Sequence, residues 1–403
     1  TSEFITRFND YRQFNHWSSE HFDWGKQGGI AERSRSNVFE WQVNNILKWN
    51  RDFDIHAFDF TFVQNAEKYQ YWSEVMRRNS FQPSDVLGYH RMQAATTSVN
   101  ISSNDEYSTA DALLARLNYT LMDKYMLTGS FRRDGYSAFG QRHPRANFGS
   151  AALGWIISEE EFFDVSAMDM LKLRFSFGSN GNRAVGRYQA LSDLNTGKYV
   201  LQTDGSAQYV SQLYVNRMAN PDLQWERTGA YNLGVDFSFF NGRIRGNAEV
   251  YSMKTKDLLV SRKLPDITGF SSVFTNLGEV DNRGFELGLN TINMDRNEFT
   301  WSSDFTLSHN RNEIVSLYGD MVDVLDDEGN VIGQKEADDV TNRWFIGHAL
   351  DQIWDYKVLG IWQSDEEEEA ASYSREPGDF KIQDTDGDGY YTDNDKVFQG
   401  YRK

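Results

Sequence analysis

The sequence contains no cysteine, only 5 prolines and no apolar run of the roughly 18 residues that a membrane-spanning helix needs. Without cysteine there is no disulfide framework and no thiolate metal site. The missing apolar run excludes a spanning helix but not a β-barrel, in which only alternate side chains face lipid. A net charge of −18 over 403 residues argues against nucleic acid as a partner, because such surfaces are built from Lys and Arg.

The sequence is rich in aromatic residues and shows a period of two. Phe, Tyr and Trp make up 15% of the chain, a composition that favours extended strands. Between Trp225 and Leu259, apolar and polar residues alternate on both sides of Asn241-Gly242, the pair that a type I′ hairpin turn requires. We therefore predict one antiparallel hairpin here, with Phe239 and Ile244 on the same face.

A second hairpin is predicted around Met122-Asp123-Lys124, because residues 113–121 and 125–131 alternate in the same way. Such short turns are separated by long polar stretches at 188–222 and 318–342, which is typical of a membrane barrel with short periplasmic turns and long outer loops. Apolar residues expected on the convex, lipid-facing side are Leu117, Tyr231, Leu233, Val235, Phe237, Leu287, Phe305 and Leu307. Polar residues expected to face the interior are Arg116, Arg174, Asp236, Glu286 and Asp304.

One stretch of the sequence carries a specific motif. Residues 220–228 read N-P-D-L-Q-W-E-R-T, and residues 231–237 read Y-N-L-G-V-D-F. This resembles the N-P-x-L-x-W-E-x-T…N-x-G-x-D segment of SusC/RagA-type TonB-dependent outer-membrane transporters. Further landmarks of that family follow in order at 256–259, 276–287, 301–312, 347–362 and 377–389. The resemblance is strongest over residues 110–400.

The resemblance implies a plugged barrel of about 22 strands in the outer membrane, surrounded by outer-membrane lipid. TonB would energise it through the plug, and a SusD-like surface lipoprotein would deliver a glycan, oligosaccharide or peptide. At about ten residues per strand plus loops, the chain holds roughly 12–14 strands. We therefore expect an all-β, antiparallel, incomplete barrel sheet, open and curled, with long outer loops. Because no plug or TonB box is recognisable, we interpret residues 1–403 as an internal part of one barrel domain.

The segment 384–395 has the spacing of an EF-hand calcium loop, with carboxylates at positions 1, 3, 5 and 12 and glycine at position 6. We expect a structural Ca²⁺ held by carboxylates and one backbone carbonyl. The predicted ligands are Asp384, Asp386, Asp388, Asp395 and the carbonyl of Tyr390. The last carboxylate is Asp where an EF-hand has Glu, and no helix pair flanks the loop. The alternative is an Asp/Gly-rich turn without a metal.

No motif indicates an enzyme. The 7 histidines are scattered without metal-ligand spacing, and no nucleophile elbow, P-loop or dinucleotide-binding motif occurs. We expect an importer with no catalytic or cofactor-binding residues. The alternative is a soluble or surface calcium-stabilised β-sandwich that binds carbohydrate. Apolar bands facing outward on successive strands would favour the barrel, whereas two apolar faces packed together would favour the sandwich.

Overall fold

The chain folds almost entirely into β-structure. This computed structural model describes residues 1–23, 28–81, 86, 88–203, 206–264, 266–270, 272–326 and 328–401. Strands account for 66% and helices for 6%, so the predicted dominance of strands is confirmed. Within those ranges, none of the helices combines the length and apolar character that crossing a membrane demands.

The strands follow one another along the chain with few other elements between them. The first eleven are β1 (Ser2–Trp17), β2 (Ile30–Phe53), β3 (His56–Asn79), β4 (Thr97–Leu121), β5 (Tyr125–Tyr136), β6 (Arg145–Ile156), β7 (Met168–Asn182), β8 (Asp193–Thr203), β9 (Ser206–Arg217), β10 (Glu226–Phe239) and β11 (Ile244–Lys256). The next ten are β12 (Leu259–Lys263), β13 (Ser272–Asn276), β14 (Glu279–Arg296), β15 (Phe299–Ser316), β16 (Met321–Leu325), β17 (Val331–Glu336), β18 (Gln352–Tyr356), β19 (Val358–Ile361), β20 (Phe380–Ile382) and β21 (Lys396–Tyr401).

Helical structure is confined to short pieces between strands. The α-helix of the described residues is α1 (Glu367–Ser372). Single 3-10 turns occupy Gly88–His90, Met92–Ala94, Ile157–Glu159, Asp266–Thr268, Ser364–Glu366 and Asp393–Asp395.

Eleven strands form one antiparallel sheet. Its order is β1-β2-β3-β4-β5-β6-β7-β10-β11-β14-β15, so nearly every strand pairs with its neighbour in sequence, as in the wall of an up-and-down barrel. Among the described residues, β1 and β15 each have one partner in this sheet. The predicted open sheet is therefore confirmed, with eleven strands where the length estimate gave about 12–14. Its curl stays a prediction.

The strand count is lower than the estimate because several wall strands are longer than ten residues, with 24 in β2, 24 in β3 and 25 in β4. The long polar stretches contain strands outside the main sheet. Strands β8 and β9 lie within residues 188–222 and pair only with each other, and β16 and β17 do the same within 318–342. Three further two-stranded sheets are β12–β13, β18–β21 and β19–β20. The stretches 188–222 and 318–342, which were predicted to be long outer loops, therefore contain small sheets of their own.

The hairpin predicted around Asn241-Gly242 is present as the neighbouring pair β10 and β11. The N–H of Arg243 donates to the carbonyl of Phe240 at 3.3 Å. Between them, Asn241 and Gly242 have φ of 55° and 76°, the left-handed pair of a type I′ turn. The predicted shared face of Phe239 and Ile244 stays a prediction.

The second predicted hairpin turn has the same form without glycine. The N–H of Lys124 donates to the carbonyl of Leu121 at 3.1 Å. Met122 and Asp123 have φ of 53° and 55°, a conformation that L-residues adopt at a cost. The turn joins β4 to β5, which pair over twelve residues.

The chain forms two compact units. The first comprises Thr1–Tyr251, Asp257–Asn276 and Glu286–Leu307, and the second comprises Ser252–Lys256, Leu277–Phe285 and Ser308–Lys403. The main buried cluster of the first unit consists of Ala138, Phe139, Ala146, Phe148, Val185, Ala190, Leu223 and Trp225. The assignment of residues 1–403 to a single barrel domain stays a prediction.

Candidate functional site

The register of the main sheet separates an apolar face from a polar face. Residues paired across neighbouring strands share a face, because side chains alternate along each strand. One row that crosses seven strands consists of Trp49, Phe60, Leu117, Gly129, Ala151, Phe177 and Tyr231. The adjacent row on the same face consists of Arg51, Phe58, Tyr119, Leu127, Leu153, Phe175 and Leu233. The opposite face carries Asn50, Asp59, Asn118, Thr128, Ala152, Ser176 and Asn232.

The residues predicted to face lipid are not packed into a core. Relative exposures are 40% for Leu117, 55% for Tyr231, 45% for Leu233, 51% for Phe305 and 45% for Leu307. Val235, Phe237 and Leu287 are half-buried. On β4 the apolar positions run from Leu113 to Leu121, which spans about 20–25 Å in a tilted strand. That matches the apolar belt of an outer-membrane barrel and not the interior of a sandwich.

Aromatic residues mark the short-turn rim of this apolar band. The rings of Tyr125 and Trp155 stack at 6.4 Å, and both donate hydrogen bonds to Oε1 of Glu160, at 2.5 Å from the Tyr125 hydroxyl and 2.9 Å from Trp155 Nε1. Glu160 lies beyond the end of β6, where the hydrogen bonds from Tyr125 and Trp155 lower the pKa of its carboxyl. Amphipathic rings held in this way suit a membrane interface.

On the polar face, one arginine bridges three strands. Arg174 of β7 donates to Asp236 of β10 at 2.7 Å and to Glu249 of β11 at 2.7 Å. Asn232 donates to the other oxygen of Glu249 at 3.0 Å. Arg174 and Asp236, which were both predicted to face the interior, therefore belong to one ion-pair network.

The other polar residues expected inside make smaller contacts. Arg116 donates to Asn118 on its own strand at 3.2 Å. Asp304 accepts a hydrogen bond from Asn290, and Glu286 is exposed. Their interior position stays a prediction.

Farther toward the long loops, a cleft of about 420 Å³ opens against this polar face. The segment after β7 folds back and places two arginines over β3 and β4. Arg183 pairs with Glu67 at 2.5 Å, and Arg187 pairs with Glu106 at 2.6 Å. The guanidinium of Arg187 also lies 3.7 Å from the ring centre of Tyr69, a cation–π contact. The cleft is therefore lined by fixed guanidinium and carboxylate groups beside an aromatic ring.

The N-P-D-L-Q-W motif is an internal anchor. Leu223 and Trp225 are 0% and 4% exposed, and the Trp225 ring lies 4.9 Å from that of Phe139. The backbone N–H of Gln224 donates to Oδ1 of Asn276 at 2.7 Å, and Asn276 Nδ2 donates back to the carbonyl of Gln224 at 2.7 Å. Two motifs that are distant in sequence are thus joined by a reciprocal pair of hydrogen bonds.

The acidic loop connects β20 to β21 in the second unit. Oxygens of Asp384, Asp386 and Asp388 lie within 4.8 Å of one another. Gly389, at the sixth loop position, has φ of 83°, which L side chains rarely adopt. Its N–H donates to Asp384 Oδ2 at 3.0 Å, and that of Gly387 donates to Oδ1 at 2.7 Å.

The structure does not bring Asp395 into this group of three. Asp395 is fully buried, and its two oxygens accept from the N–H groups of Thr385 at 2.7 Å and Thr392 at 2.8 Å. The Tyr390 N–H donates to Asp388 at 2.7 Å. Burial raises the pKa of Asp384, but the N–H groups of Gly389 and Gly387 bring it below its ordinary value, so this carboxyl is ionised and suited to a cation.

Comparison with known families accounts for the sheet and its motifs together. The family described as "TonB dependent receptor-like, beta-barrel" matches residues 2–401. The chain belongs to this family of TonB-dependent receptor β-barrels. Its predicted location in the outer membrane is confirmed, and the lipid-facing orientation of the apolar face stays a prediction.

Similar receptors are known from two bacteria. TonB-dependent receptor P26 of Formosa agariphila is 32% identical over 386 residues, which cover 93% of this chain and 37% of that protein. TonB-dependent receptor SusC of Bacteroides thetaiotaomicron is 30% identical over 343 residues, covering 80% and 33%. Among solved structures, the RagAB peptide transporter superposes with a TM-score of 0.75 at 18% identity, covering 99% of this chain and 42% of that one. The chain thus spans about two fifths or less of these relatives.

Sequence reasoning missed the arginines of the cleft in this TonB-dependent receptor barrel. Arg183 and Arg187 follow β7 in a polar stretch without periodicity, and their partners lie 116 and 81 residues earlier. The only local signal is the spacing of two arginines by four residues beside Tyr188. Alternation identifies the faces of strands, but it does not locate a segment that folds back over them.

Proposed function

We propose that the full-length protein containing this chain imports a nutrient across the outer membrane, using TonB as its energy source. The observation that carries the proposal is the family match over residues 2–401, joined to a sheet with one apolar face and one polar face. Import needs both faces, because lipid surrounds the wall and a hydrated substrate passes inside it. Catalysis has no part in this proposal.

The substrate class we propose is a glycan, oligosaccharide or peptide delivered by a SusD-like surface lipoprotein. A solved neighbour is named as a peptide transporter, and a relative is the receptor SusC. The Arg183 and Arg187 cleft supports such a substrate, because guanidinium groups and an aromatic ring bind hydroxyls, carboxylates and sugar faces. We therefore propose Arg187 and Tyr69 as contacts for the passing substrate.

Uptake in whole cells tests the proposal. Cells in which the full-length protein is the only uptake route are given labelled oligosaccharides or oligopeptides. Uptake is compared between cells with active TonB and cells without it. We expect TonB-dependent accumulation of one class, reduced several-fold by Arg183→Gln with Arg187→Gln. The control Arg142→Gln removes a charge from an exposed ion pair with Asp222 outside the cleft and should leave uptake unchanged. Accumulation that is equal without TonB would refute import of this kind.

We also propose that the acidic loop binds a structural Ca²⁺. Asp384, Asp386 and Asp388 fit a hard cation, since three carboxylates this close repel one another unless they are neutralised. The Tyr390 carbonyl and Asp395 would complete the site, with Asp395 exchanging backbone N–H partners for the ion. The ion would stiffen the connection between β20 and β21.

Calorimetry and limited proteolysis on the full-length protein test the calcium site. Asp386→Ala with Asp388→Ala should abolish calcium binding and increase cleavage near Gly387, while the strand content stays the same. The matched control Asp365→Ala with Glu368→Ala removes two acids from a second acidic segment, residues 365–369, which read D-E-E-E-E. No binding by the wild type at millimolar calcium, the weak end for extracellular modules, would defeat the proposal.

A further inference from the structure

The apolar face of the sheet carries two arginines at its long-loop end. Leu113, the last apolar residue of the band on β4, pairs with Arg133 of β5, which pairs with Asn147 of β6. On β10, Arg227 lies on the same face as Tyr231. Arg227 is eight residues from Val235, just as Leu113 is eight residues from Leu121 on β4. Val235 and Leu121 belong to one row. Arg133 and Arg227 therefore stand at the same height, at the long-loop end of the band.

These two arginines differ from their neighbours in having no partner. Both are exposed, and within the described residues neither side chain makes an ion pair or a hydrogen bond. By contrast, Arg132, adjacent to Arg133 but on the polar face, pairs with Asp134 at 2.7 Å. Next to Arg133 on the lipid-facing side, Arg145 pairs with Asp111 at 2.6 Å. In a chain of net charge −18, two unpaired arginines at one level are available to bind an anion from outside the chain.

The position of the two arginines identifies that anion. An exposed cation beside the apolar band of a barrel lies where lipid headgroups meet hydrocarbon. Guanidinium groups bind phosphate with two parallel hydrogen bonds. The backbones of Arg133 and Arg227 are separated by three strand spacings, about 14 Å, so each arginine has its own phosphate within reach.

We propose that Arg133 and Arg227 bind the phosphate groups of a phosphorylated glycolipid in the outer leaflet. Asn147 lies between them on the same face and offers an amide to the sugar of the headgroup. Directly below, Phe131 and the contacting pair Phe177 and Tyr231, whose rings are 4.8 Å apart, present apolar surface to the acyl chains. Continuity of the arginines with this apolar band selects a lipid over free phosphate.

Native mass spectrometry of the full-length protein extracted from outer membranes tests the assignment. The probes are bisphosphorylated lipid A, lipid A with its phosphates removed, and inorganic phosphate. We expect the wild type to retain bisphosphorylated lipid A at least about tenfold better than the dephosphorylated form, because removing the phosphates removes two charge-assisted contacts. Millimolar inorganic phosphate should not displace the lipid.

Variants separate this site from general lipid adhesion. Arg133→Gln with Arg227→Gln should lose the preference for phosphate, whereas Arg133→Lys with Arg227→Lys should keep most of it. The control Arg296→Gln removes an exposed arginine at the end of β14 and should behave as the wild type. Heat-modifiability on gels checks that each barrel is folded. Equal retention of both lipid A forms by the wild type, or an unchanged preference in the glutamine variant, would overturn the proposal.

Discussion

Single residues on the polar face are held by partners that are far away in sequence. Arg174 contacts Asp236 and Glu249, which lie 62 and 75 residues later. Alternation along β7 and β10 was enough to predict which face Arg174 and Asp236 occupy. It could not identify the pairing, because that depends on a strand register set by long-range hydrogen bonds. Glu249 was missed for the same reason.

Replacing Arg174 by Gln should destabilise the barrel. Asp236 and Glu249 would lose their shared cation and repel each other. Because the Arg174 side chain is 33% exposed, we expect a loss of about 1–2 kcal/mol, between surface and buried ion pairs. The loss of stability is measured as a shift in the midpoint of urea unfolding, which is monitored by gel mobility. Arg116→Gln is the control, because the Arg116 side chain donates to a neutral amide. An equal shift of the urea midpoint in both variants would contradict the network.

Glu160 should make stability depend on pH. The hydroxyl of Tyr125 and the indole of Trp155 donate to its carboxylate and depress its folded pKa. A depressed pKa contributes stability above the unfolded value of about 4.3, which is lost as pH falls through the folded value. Glu160→Gln should therefore be less stable than wild type at pH 7, with the difference closing below about pH 4. A difference that persists at acid pH would show that packing, not charge, is responsible.

At the scale of elements, local sequence predicted hairpins more fully than it predicted loops. The pair Asn241-Gly242 predicted a turn because both residues tolerate positive φ. The stretches 188–222 and 318–342 are polar and gave no expectation of strands, yet each contains a two-stranded sheet. Their pairing comes from backbone hydrogen bonds between segments without a buried face, so the sequence carries no apolar period to reveal it.

The two short turns give opposite predictions for glycine. Gly242 has φ of 76°, so Gly242→Ala should cost about 1–2 kcal/mol. Met122 has φ of 53° without being glycine, so Met122→Gly should be neutral or stabilise by up to about 1 kcal/mol. Urea unfolding of the full-length barrel compares the two. Destabilisation by Met122→Gly as large as that by Gly242→Ala would show that side-chain packing, not backbone conformation, governs these turns.

At the scale of the whole molecule, the order of strands follows from the order of the sequence. Hairpins join neighbours, and the sheet grows by adding the next strand with its apolar face on the same side. The sequence pattern was therefore sufficient for the fold class and for the residues that share the apolar face. The cleft was not predicted, because it depends on a segment that folds back over the sheet. The calcium ligands of the acidic loop stay a prediction.

The apolar face makes a prediction that separates a membrane wall from a soluble sheet. Leu117 lies midway between Leu113 and Leu121 on β4, and its side chain is 40% exposed. In a bilayer, Leu117→Arg should cost about 2–4 kcal/mol, the range for arginine at the midplane of a barrel. Thr120→Arg, three residues along the same strand but on the polar face, should change stability by less than about 1 kcal/mol. Urea unfolding in lipid vesicles, compared with detergent, measures both variants of the full-length protein. On a soluble sheet an exposed leucine gains little from lipid, so two variants of equal stability in vesicles would count against the membrane orientation of this face.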